Sequence, residues 1–301
     1  MQIQVIANCQ ARPVSAQIER VAPDMRILKP IILHLSKAEQ KAEQLAQIAQ
    51  ADVIFAQLTQ DGFQPAHLAS ANLKERFGDK VVIWPNIFYT GQQPYLRYFT
   101  HPKLGRLMGP LEALHDIRLY RSWKHTGQVD PNALDHFDPA FIASTHALSI
   151  AELEKKEARC HVAISDFLAA NADNQRLFFT FNHPSQLVLA EMARRLLHSM
   201  GLDTEPQDDP SLSEPLARYQ VPSVWSASEA VYQGDAYTVD ANNTVLGLGG
   251  APRRYTREEL CSSFQKIYDA NDIYQTFNGV RLTPSILEDV EFLSKTGSLE
   301  S

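Results

Sequence analysis

Near its start the chain reads Ile3-Gln4-Val5-Ile6-Ala7-Asn8-Cys9-Gln10, an apolar, β-branched run that stops at three polar residues. Such a run predicts a buried strand. Two further runs of this kind follow over residues 52–57 and 80–84, and segments with helical periodicity separate them. Short strands that alternate with helices predict βαβ units and a parallel sheet.

Each of these strands ends in polar residues. The first stops at Asn8-Cys9-Gln10, the second at Gln57, and the third at Pro85-Asn86. Ligands of open α/β sheets bind at the carboxyl ends of the strands. We therefore expect the functional site at this edge of the sheet.

The predicted fold is α/β, an open and mostly parallel sheet with flanking helices, similar to Rossmann and SGNH cores. Residues 1–200 form the predicted core, which carries an irregular and helical insertion over about 89–140, where the periodicity fades. Residues 201–301 are predicted to form a linker and a mainly helical region packed on the core.

Three capping-box patterns, in which Ser or Thr is followed three residues later by Glu, predict where helices begin. The pairs are Ser36 with Glu39, Ser149 with Glu152, and Thr256 with Glu259. A final helix is predicted near residues 285–295.

Composition excludes several classes of protein. The 301 residues carry a net charge of −7 and give a pI near 5.8, which argues against nucleic-acid binding. No apolar stretch approaches the roughly 20 residues of a membrane helix, and the start lacks the pattern of a signal peptide. Three scattered cysteines fit neither a disulfide framework nor a zinc site. We expect a cytoplasmic protein with no bound metal; a homo-oligomer remains open.

Cys9 is the first candidate for chemistry. It follows a strand and precedes a helix, where the helix dipole favours a thiolate, so it could act as a nucleophile. Asn8 and Gln10 bring amides to the same turn and could stabilise an oxyanion. The alternative is that Cys9 is a small buried hydrophobic residue.

The stretch Asn182-His183-Pro184 is the second candidate. A histidine titrates near neutral pH, so His183 could serve as a general base or acid. The alternative is structural: Asn182 would cap the following helix, and Pro184 would lie in its first turn.

The predicted insertion collects cations and aromatic residues, among them Arg97, Arg121 and Lys124. Arginine suits phosphate groups and aromatic rings suit bases, so this segment could cradle a phosphorylated ligand that carries an adenine. The alternative is a solvated, irregular surface.

Three motifs in this order, Asn8-Cys9-Gln10, the stretch 84–88 (Trp-Pro-Asn-Ile-Phe) and the stretch 179–184 (Phe-Thr-Phe-Asn-His-Pro), resemble the WcbI-type family of polysaccharide-biosynthesis acetyltransferases. The resemblance covers about residues 1–198. Ala7 departs from it, because the family has glycine there. It implies an α/β protein that binds coenzyme A and transfers an acetyl group to a sugar hydroxyl. By matching position, Cys9 and His183 would be the reactive pair.

We therefore hypothesise a CoA-dependent O-acetyltransferase that uses acetyl-CoA and a carbohydrate acceptor. The predicted catalytic residues are Cys9 and His183. The predicted residues for the oxyanion and the substrate are Asn8, Gln10, Gln57, Asn86 and Asn182. The predicted CoA-binding residues are Arg12, Tyr89, Arg97, Arg121 and Lys124.

Two alternatives remain open from the sequence. One is a cysteine-dependent esterase or deacetylase of the SGNH type, with Cys9 in place of serine; the Asp-x-x-His motif of those enzymes is not evident. The other is a non-catalytic protein that binds CoA or a nucleotide within a glycan-synthesis complex.

Overall fold

The computed structural model describes residues 1–101, 103–204, 214–224, 237–239 and 253–277. The chain divides into two compact units. The first unit comprises Met1–Phe88, Ile150–Asn171 and Asn182–Leu216. The second unit comprises Tyr89–Ser149, Ala172–Phe181 and Ala217–Ser301. The predicted division into a core over 1–200 and a C-terminal region stays a prediction, and the predicted helix near 285–295 lies outside the described residues.

Helices and strands alternate through the first part of the chain, as the sequence predicts. The helices are α1 (Ala11–Val21), α2 (Lys41–Ile48), α3 (Ser70–Phe77), α4 (Ile117–Thr126), α5 (Pro139–Glu157), α6 (Ser165–Asn171), α7 (Gln186–His198), α8 (Arg257–Ala270) and α9 (Asp272–Thr276). The strands of the largest sheet are β1 (Gln2–Ala7), β2 (Arg26–Ile27), β3 (Ile31–Ile32), β4 (Val53–Gln57) and β5 (Val81–Trp84).

The first unit is built on a parallel sheet in the order β2-β1-β4-β5. Strands β2 and β3 pair with the two ends of β1, and β4 pairs along its other edge with Ile3 opposite Val53. The central strands are buried on both faces, which accounts for their continuous apolar runs. The predicted open, mostly parallel α/β fold is confirmed.

Apolar packing fixes the helices on this sheet. The core cluster includes Ile6, Ile54 and Val81 from the strands and Leu73 from α3. Each such side chain contributes about 1.5–3 kcal/mol when it is fully buried. Helix α1 also packs against α7, so the two helices that follow the Cys9 and His183 motifs are neighbours.

The last strand of the sheet is covered by the chain rather than left open. Ile83 donates its backbone N–H to Nδ1 of His161 (2.8 Å), and His161 returns its own N–H to the carbonyl of Ile83 (2.7 Å). Unpaired edge groups invite pairing with another chain, and this contact satisfies two of them.

The second unit contains short strands that the sequence does not predict. In the insertion, β6 (Leu96–Tyr98) pairs with β9 (Leu114–Asp116), and β7 (Thr100–His101) pairs with β8 (Gly105–Arg106). After residue 201 the described elements are the helices α8 and α9 and three short strands, β12 (Tyr219–Gln220), β13 (Tyr237–Val239) and β14 (Arg253–Tyr255), which form an antiparallel sheet. Strands of two or three residues are too short to show a period in the sequence. The remaining strands are β10 (Phe178–Thr180) and β11 (His183–Pro184).

The second unit has an aromatic core. His115 stacks on Phe99 with ring centroids 4.2 Å apart and packs against Tyr268 and Phe264. Its ring nitrogens contact the Tyr268 hydroxyl and the Leu107 carbonyl, each at 3.0 Å. Burial lowers the pKa of His115 to about 4, so this histidine is neutral and structural.

Among the described residues, no helix combines the length and the apolar character needed to cross a bilayer.

Candidate functional site

The turn Asn8-Cys9-Gln10 joins β1 directly to α1. The side-chain oxygen of Asn8 accepts the backbone N–H of Gln10 (2.9 Å), and the Asn8 carbonyl accepts the N–H of Ala11 (3.1 Å). Asn8 therefore satisfies donors that the start of a helix would otherwise leave open. Cys9 is held at the middle of this turn, at the carboxyl edge of the sheet.

A chain of amides connects this turn to the ends of the two neighbouring strands. Gln57, at the end of β4, accepts the backbone N–H of Asn8 (3.0 Å) and donates to the side-chain oxygen of Gln10 (2.9 Å). Gln10 in turn donates to the carbonyl of Ile87 (3.0 Å), beyond the end of β5. Asn8 donates to the side-chain oxygen of Asn86 (3.2 Å). The polar ends of the three strands thus form one hydrogen-bonded network.

The amides of this network differ in whether they are available to a ligand. Gln10 and Gln57 are fully buried, and both ends of each amide are engaged within the network. Their predicted part in oxyanion stabilisation is thereby limited to holding the turn. Asn86 is only partly buried, and its side-chain nitrogen makes no hydrogen bond with the described residues. Asn86 is therefore the better donor for a developing negative charge.

The start of α1 does not make Cys9 a thiolate, because the effect of burial is larger. Burial raises the pKa of the Cys9 thiol to about 11, and its own backbone N–H lowers it only in part. The sulfur lies 3.9 Å from the side-chain oxygen of Asn8, which suits a protonated thiol as a weak donor. At neutral pH the group at the centre of this turn is therefore a thiol.

Asn182 and His183 immediately precede α7 in the first unit, and both are partly buried. Asn182 does not cap the helix, and Pro184 does not lie in its first turn: the cap position is Ser185, after the short strand β11. Glu214 instead accepts the backbone N–H of Gln186 (2.7 Å), and its charge complements the helix N-terminus. Asn182 and His183 are thus not explained by helix capping. Their pairing with Cys9 stays a prediction.

Arg12 lies in the first turn of α1, three residues after Cys9. Its side chain is exposed and makes no ion pair or hydrogen bond with the described residues. A guanidinium beside the positive end of a helix dipole suits an anionic group such as a phosphate.

Two of the predicted CoA-binding residues are enclosed in the second unit. Tyr89 is buried, with its hydroxyl 2.5 Å from Nδ1 of His146. Arg97 is 1% exposed, donates to the carbonyl of Leu96 (2.7 Å) and lies over the ring of Phe141. Because neither side chain reaches the surface, both have a packing role in this structure.

The other two predicted cations lie on α4. Arg121 lines an open groove of the second unit together with His125 and His136. Lys124 donates to the carbonyls of Tyr274 (3.2 Å) and Gln275, near the end of α9. Lysine there neutralises the negative end of a short helix.

The second unit also contains a cavity that no motif in the sequence predicts. It contains two arginine–carboxylate pairs, Arg118 with Asp116 and Arg257 with Asp135. Asp116 and Arg118 are close along the chain, but Asp135 and Arg257 come from other segments, so no local pattern in the sequence signals the site. Among the described residues, no cluster of three or more His, Cys, Asp or Glu side chains could hold a metal ion.

Comparisons with known proteins agree on one family. The family profile described as polysaccharide biosynthesis enzyme WcbI matches residues 2–205. A solved structure of WcbI, described as a novel polysaccharide biosynthesis enzyme in a native form without a disulfide bond between CoA and a cysteine, superposes with a TM-score of 0.66. It is 17% identical, and the match covers 91% of this chain and 97% of that one. At this identity the structural likeness supports the fold. No curated protein matches the chain.

Proposed function

Because the chain belongs to the family of WcbI polysaccharide biosynthesis enzymes, we propose that it transfers an acyl group, acetyl in the simplest case, from coenzyme A to a sugar hydroxyl. The family supports an enzyme of polysaccharide biosynthesis. The acyl transfer, the CoA thioester and the carbohydrate acceptor are the proposal.

The observation that carries this proposal is the amide network around Cys9. In this network the side chains of two buried glutamines and two asparagines hold a single turn at the carboxyl edge of the sheet. Buried polar networks of this kind destabilise the fold unless every member has a hydrogen-bond partner. When they are satisfied, they hold a group in one position. A turn built in this way is suited to positioning a ligand rather than to supporting the fold alone.

The protonated state of Cys9 favours direct transfer over a covalent acyl-enzyme. In the direct route, His183 accepts the proton of the sugar hydroxyl, and the sugar oxygen attacks the carbonyl carbon of the thioester. The side-chain nitrogen of Asn86 stabilises the oxyanion. The carbon–sulfur bond then breaks, and His183 returns the proton to the departing CoA sulfur. Cys9 positions the sulfur end of CoA through its thiol.

The chain's own residues fit the anionic end of CoA. Arg12 is exposed, makes no ion pair within the described residues and adjoins the N-terminus of α1. The solved WcbI structure is described in terms of CoA and a cysteine. Of the three cysteines in this chain, Cys9 is the one that directly follows a strand of the sheet. We place the sulfur of CoA at Cys9 and a phosphate at Arg12.

Titration calorimetry with CoA, at low and at raised salt, tests the proposed binding. We expect saturable binding that weakens with salt, because exposed charge pairs are screened. Arg12→Ala should weaken it about tenfold, since a charge-assisted hydrogen bond contributes about 1.5–3 kcal/mol. Arg26→Ala, at an exposed arginine of β2, is the control and should bind CoA as the wild type does. Absence of binding to both CoA and acetyl-CoA would overturn the proposal.

The transfer step is tested by the release of free CoA from acetyl-CoA, with methyl glycosides as acceptors. His183→Ala should lower the rate by about 10²–10⁴, the usual contribution of a general base. His198→Ala, at the far end of α7, controls for loss of a histidine. Cys160→Ala controls for the loss of a thiol and should retain transfer. If Cys9→Ala also retains transfer, Cys9 is not the nucleophile and the direct route is supported. CoA-independent hydrolysis of acetylated sugars would instead identify a cysteine-dependent esterase.

A further inference from the structure

The second unit contains a cavity of about 170 Å³ that the Cys9 site does not use. A space of roughly 10–15 Å³ on this measure holds one water molecule, so the cavity is large enough for a small organic ligand. Its polar lining consists mainly of Asp116, Arg118, Asp135, Tyr237 and Arg257. The ring of Phe137 and the side chains of Leu96 and Val221 supply apolar surface.

The two ion pairs of the cavity differ in exposure. Arg118 forms a bidentate pair with Asp116, at 2.7 and 3.0 Å, and the side chains are 11% and 7% exposed. Arg257 forms a bidentate pair with Asp135, at 2.6 and 2.8 Å, and these side chains are 41% and 60% exposed. One pair is therefore buried in the interior, and the other is accessible to solvent.

Arg118 is almost fully engaged, because four of its five N–H groups already donate hydrogen bonds. Besides Asp116, it donates to the carbonyls of Leu134 (3.0 Å) and His136 (3.2 Å) and stacks over the ring of Tyr95, 4.1 Å from its centroid. The two arginines and two aspartates balance in charge, so the cavity as a whole is neutral. An added phosphate would lie beside the carboxylate that already pairs with each arginine, and the two negative charges would repel each other.

Tyr237 adds a polar group that the described residues do not satisfy. Its hydroxyl makes no hydrogen bond with them, while the charges of Asp116, Arg118 and Arg257 act on it. A partly buried hydroxyl without a partner favours a ligand that can both donate and accept. The carboxylates beside it are acceptors, so the surroundings suit a molecule with several hydroxyl groups.

From this lining we propose that the cavity binds one neutral pyranose ring of a saccharide. Tyr237 and the carboxylate of Asp135 hydrogen-bond its hydroxyls, and Phe137 packs against its C–H face. Neutral charge, paired planar polar groups and an aromatic ring together match a sugar better than they match an anion. The inference rests on the proposed function in one respect, because an enzyme of polysaccharide biosynthesis has a saccharide to hold.

The test is an NMR titration of the full chain, without CoA, with methyl glycosides of glucose, galactose, mannose and N-acetylglucosamine. We expect at least one of them to bind saturably. Tyr237→Phe should weaken its binding about fivefold, because it removes a single hydroxyl. Arg257→Ala should weaken it by a similar factor, because it releases Asp135 from its position. Arg159→Ala removes a comparable exposed pair, Arg159 with Asp61, in the first unit and should leave binding unchanged.

Several results would overturn the inference. One is that no glycoside of the panel binds; another is that both cavity variants bind as the wild type does. Tighter binding of inorganic phosphate than of any glycoside would assign the cavity to an anion. Failure here is distinguishable from failure of the proposed function, because CoA binding is measured in a separate titration and depends on Arg12 in the first unit.

Discussion

The chemistry of Cys9 follows from two opposing effects on one thiol. The start of α1 favours the thiolate, whereas burial favours the neutral thiol, and burial is the larger effect. The outcome matters for mechanism because the thiolate is the nucleophilic form. A cysteine that stays protonated positions a substrate better than it attacks one.

Alkylation by iodoacetamide, followed by peptide mass spectrometry, measures this protonation directly. With a pKa of about 11, Cys9 is about one part in a thousand thiolate at pH 8, so its alkylation rate should still rise steeply from pH 8 to 10. Cys160, whose pKa burial raises to about 12, provides an internal comparison with the same trend. A rate for Cys9 that levels off below pH 9 would contradict the expectation.

The buried glutamines make the network costly to interrupt. Gln57→Leu removes the acceptor of the Asn8 N–H and the donor to Gln10 together. Groups left unsatisfied in the interior cost about 1–3 kcal/mol each, so the loss of two partners should lower the free energy of unfolding by about 2–6 kcal/mol. Urea denaturation measures the change. Gln50→Leu, at an exposed glutamine, should change stability by less than about 0.5 kcal/mol, and an equal effect of both variants would refute a structural role of the network.

At the scale of elements, the three capping-box patterns had different outcomes. Thr256 and Glu259 form the predicted box at the start of α8. Ser149 instead lies within α5 and accepts the backbone N–H of Thr90 (3.0 Å). Ser36 donates to the carbonyl of Ile32, and α2 begins later, at Lys41. The predictions at Ser149 and Ser36 are wrong, because a nearby backbone group competed for each hydroxyl.

A charged cluster links α6 to α7 and makes part of the stability depend on pH. Glu191 accepts hydrogen bonds from Arg194 and Arg195, and Arg195 also pairs with Asp166. Burial raises the pKa of Glu191, but the hydrogen bonds from the two arginines outweigh burial and bring it below its usual value. An unfolded glutamate titrates at about 4.3, so this stability is present above that pH and is lost as the pH falls through the lower native value.

The variant Glu191→Gln tests this linkage. We expect it to be less stable than the wild type by about 2 kcal/mol at pH 7, and to approach the wild type at acid pH, as the pH falls through the lowered pKa of the wild-type carboxyl. Denaturation curves across this range give the comparison. For the control Glu19→Gln, at an exposed position of α1, the free energy of unfolding should depend on pH as it does in the wild type. A deficit of Glu191→Gln that is the same at both pH values would refute the charge-based explanation.

At the scale of the whole molecule, the family profile over residues 2–205 includes parts of both compact units. The Cys9 site lies in the first unit, and the neutral cavity lies in the second. Each unit thus offers chemistry suited to one of the two proposed substrates. The net charge of −7 is compatible with the proposed binding of CoA, because Arg12 supplies a local positive charge beside a helix terminus.

The sequence by itself determined the α/β class, the parallel strands and the family, because apolar periodicity and three ordered motifs are local signals. It also located the turn at Asn8-Cys9-Gln10 and its strand-end neighbours Gln57 and Asn86. Only the tertiary structure decided that Gln10 and Gln57 bond to each other, that Cys9 is a thiol and that Arg97 is enclosed. The same holds for the cavity around Arg118 and Tyr237. Burial and hydrogen-bond partners depend on segments far apart in the chain, and no local pattern contains them.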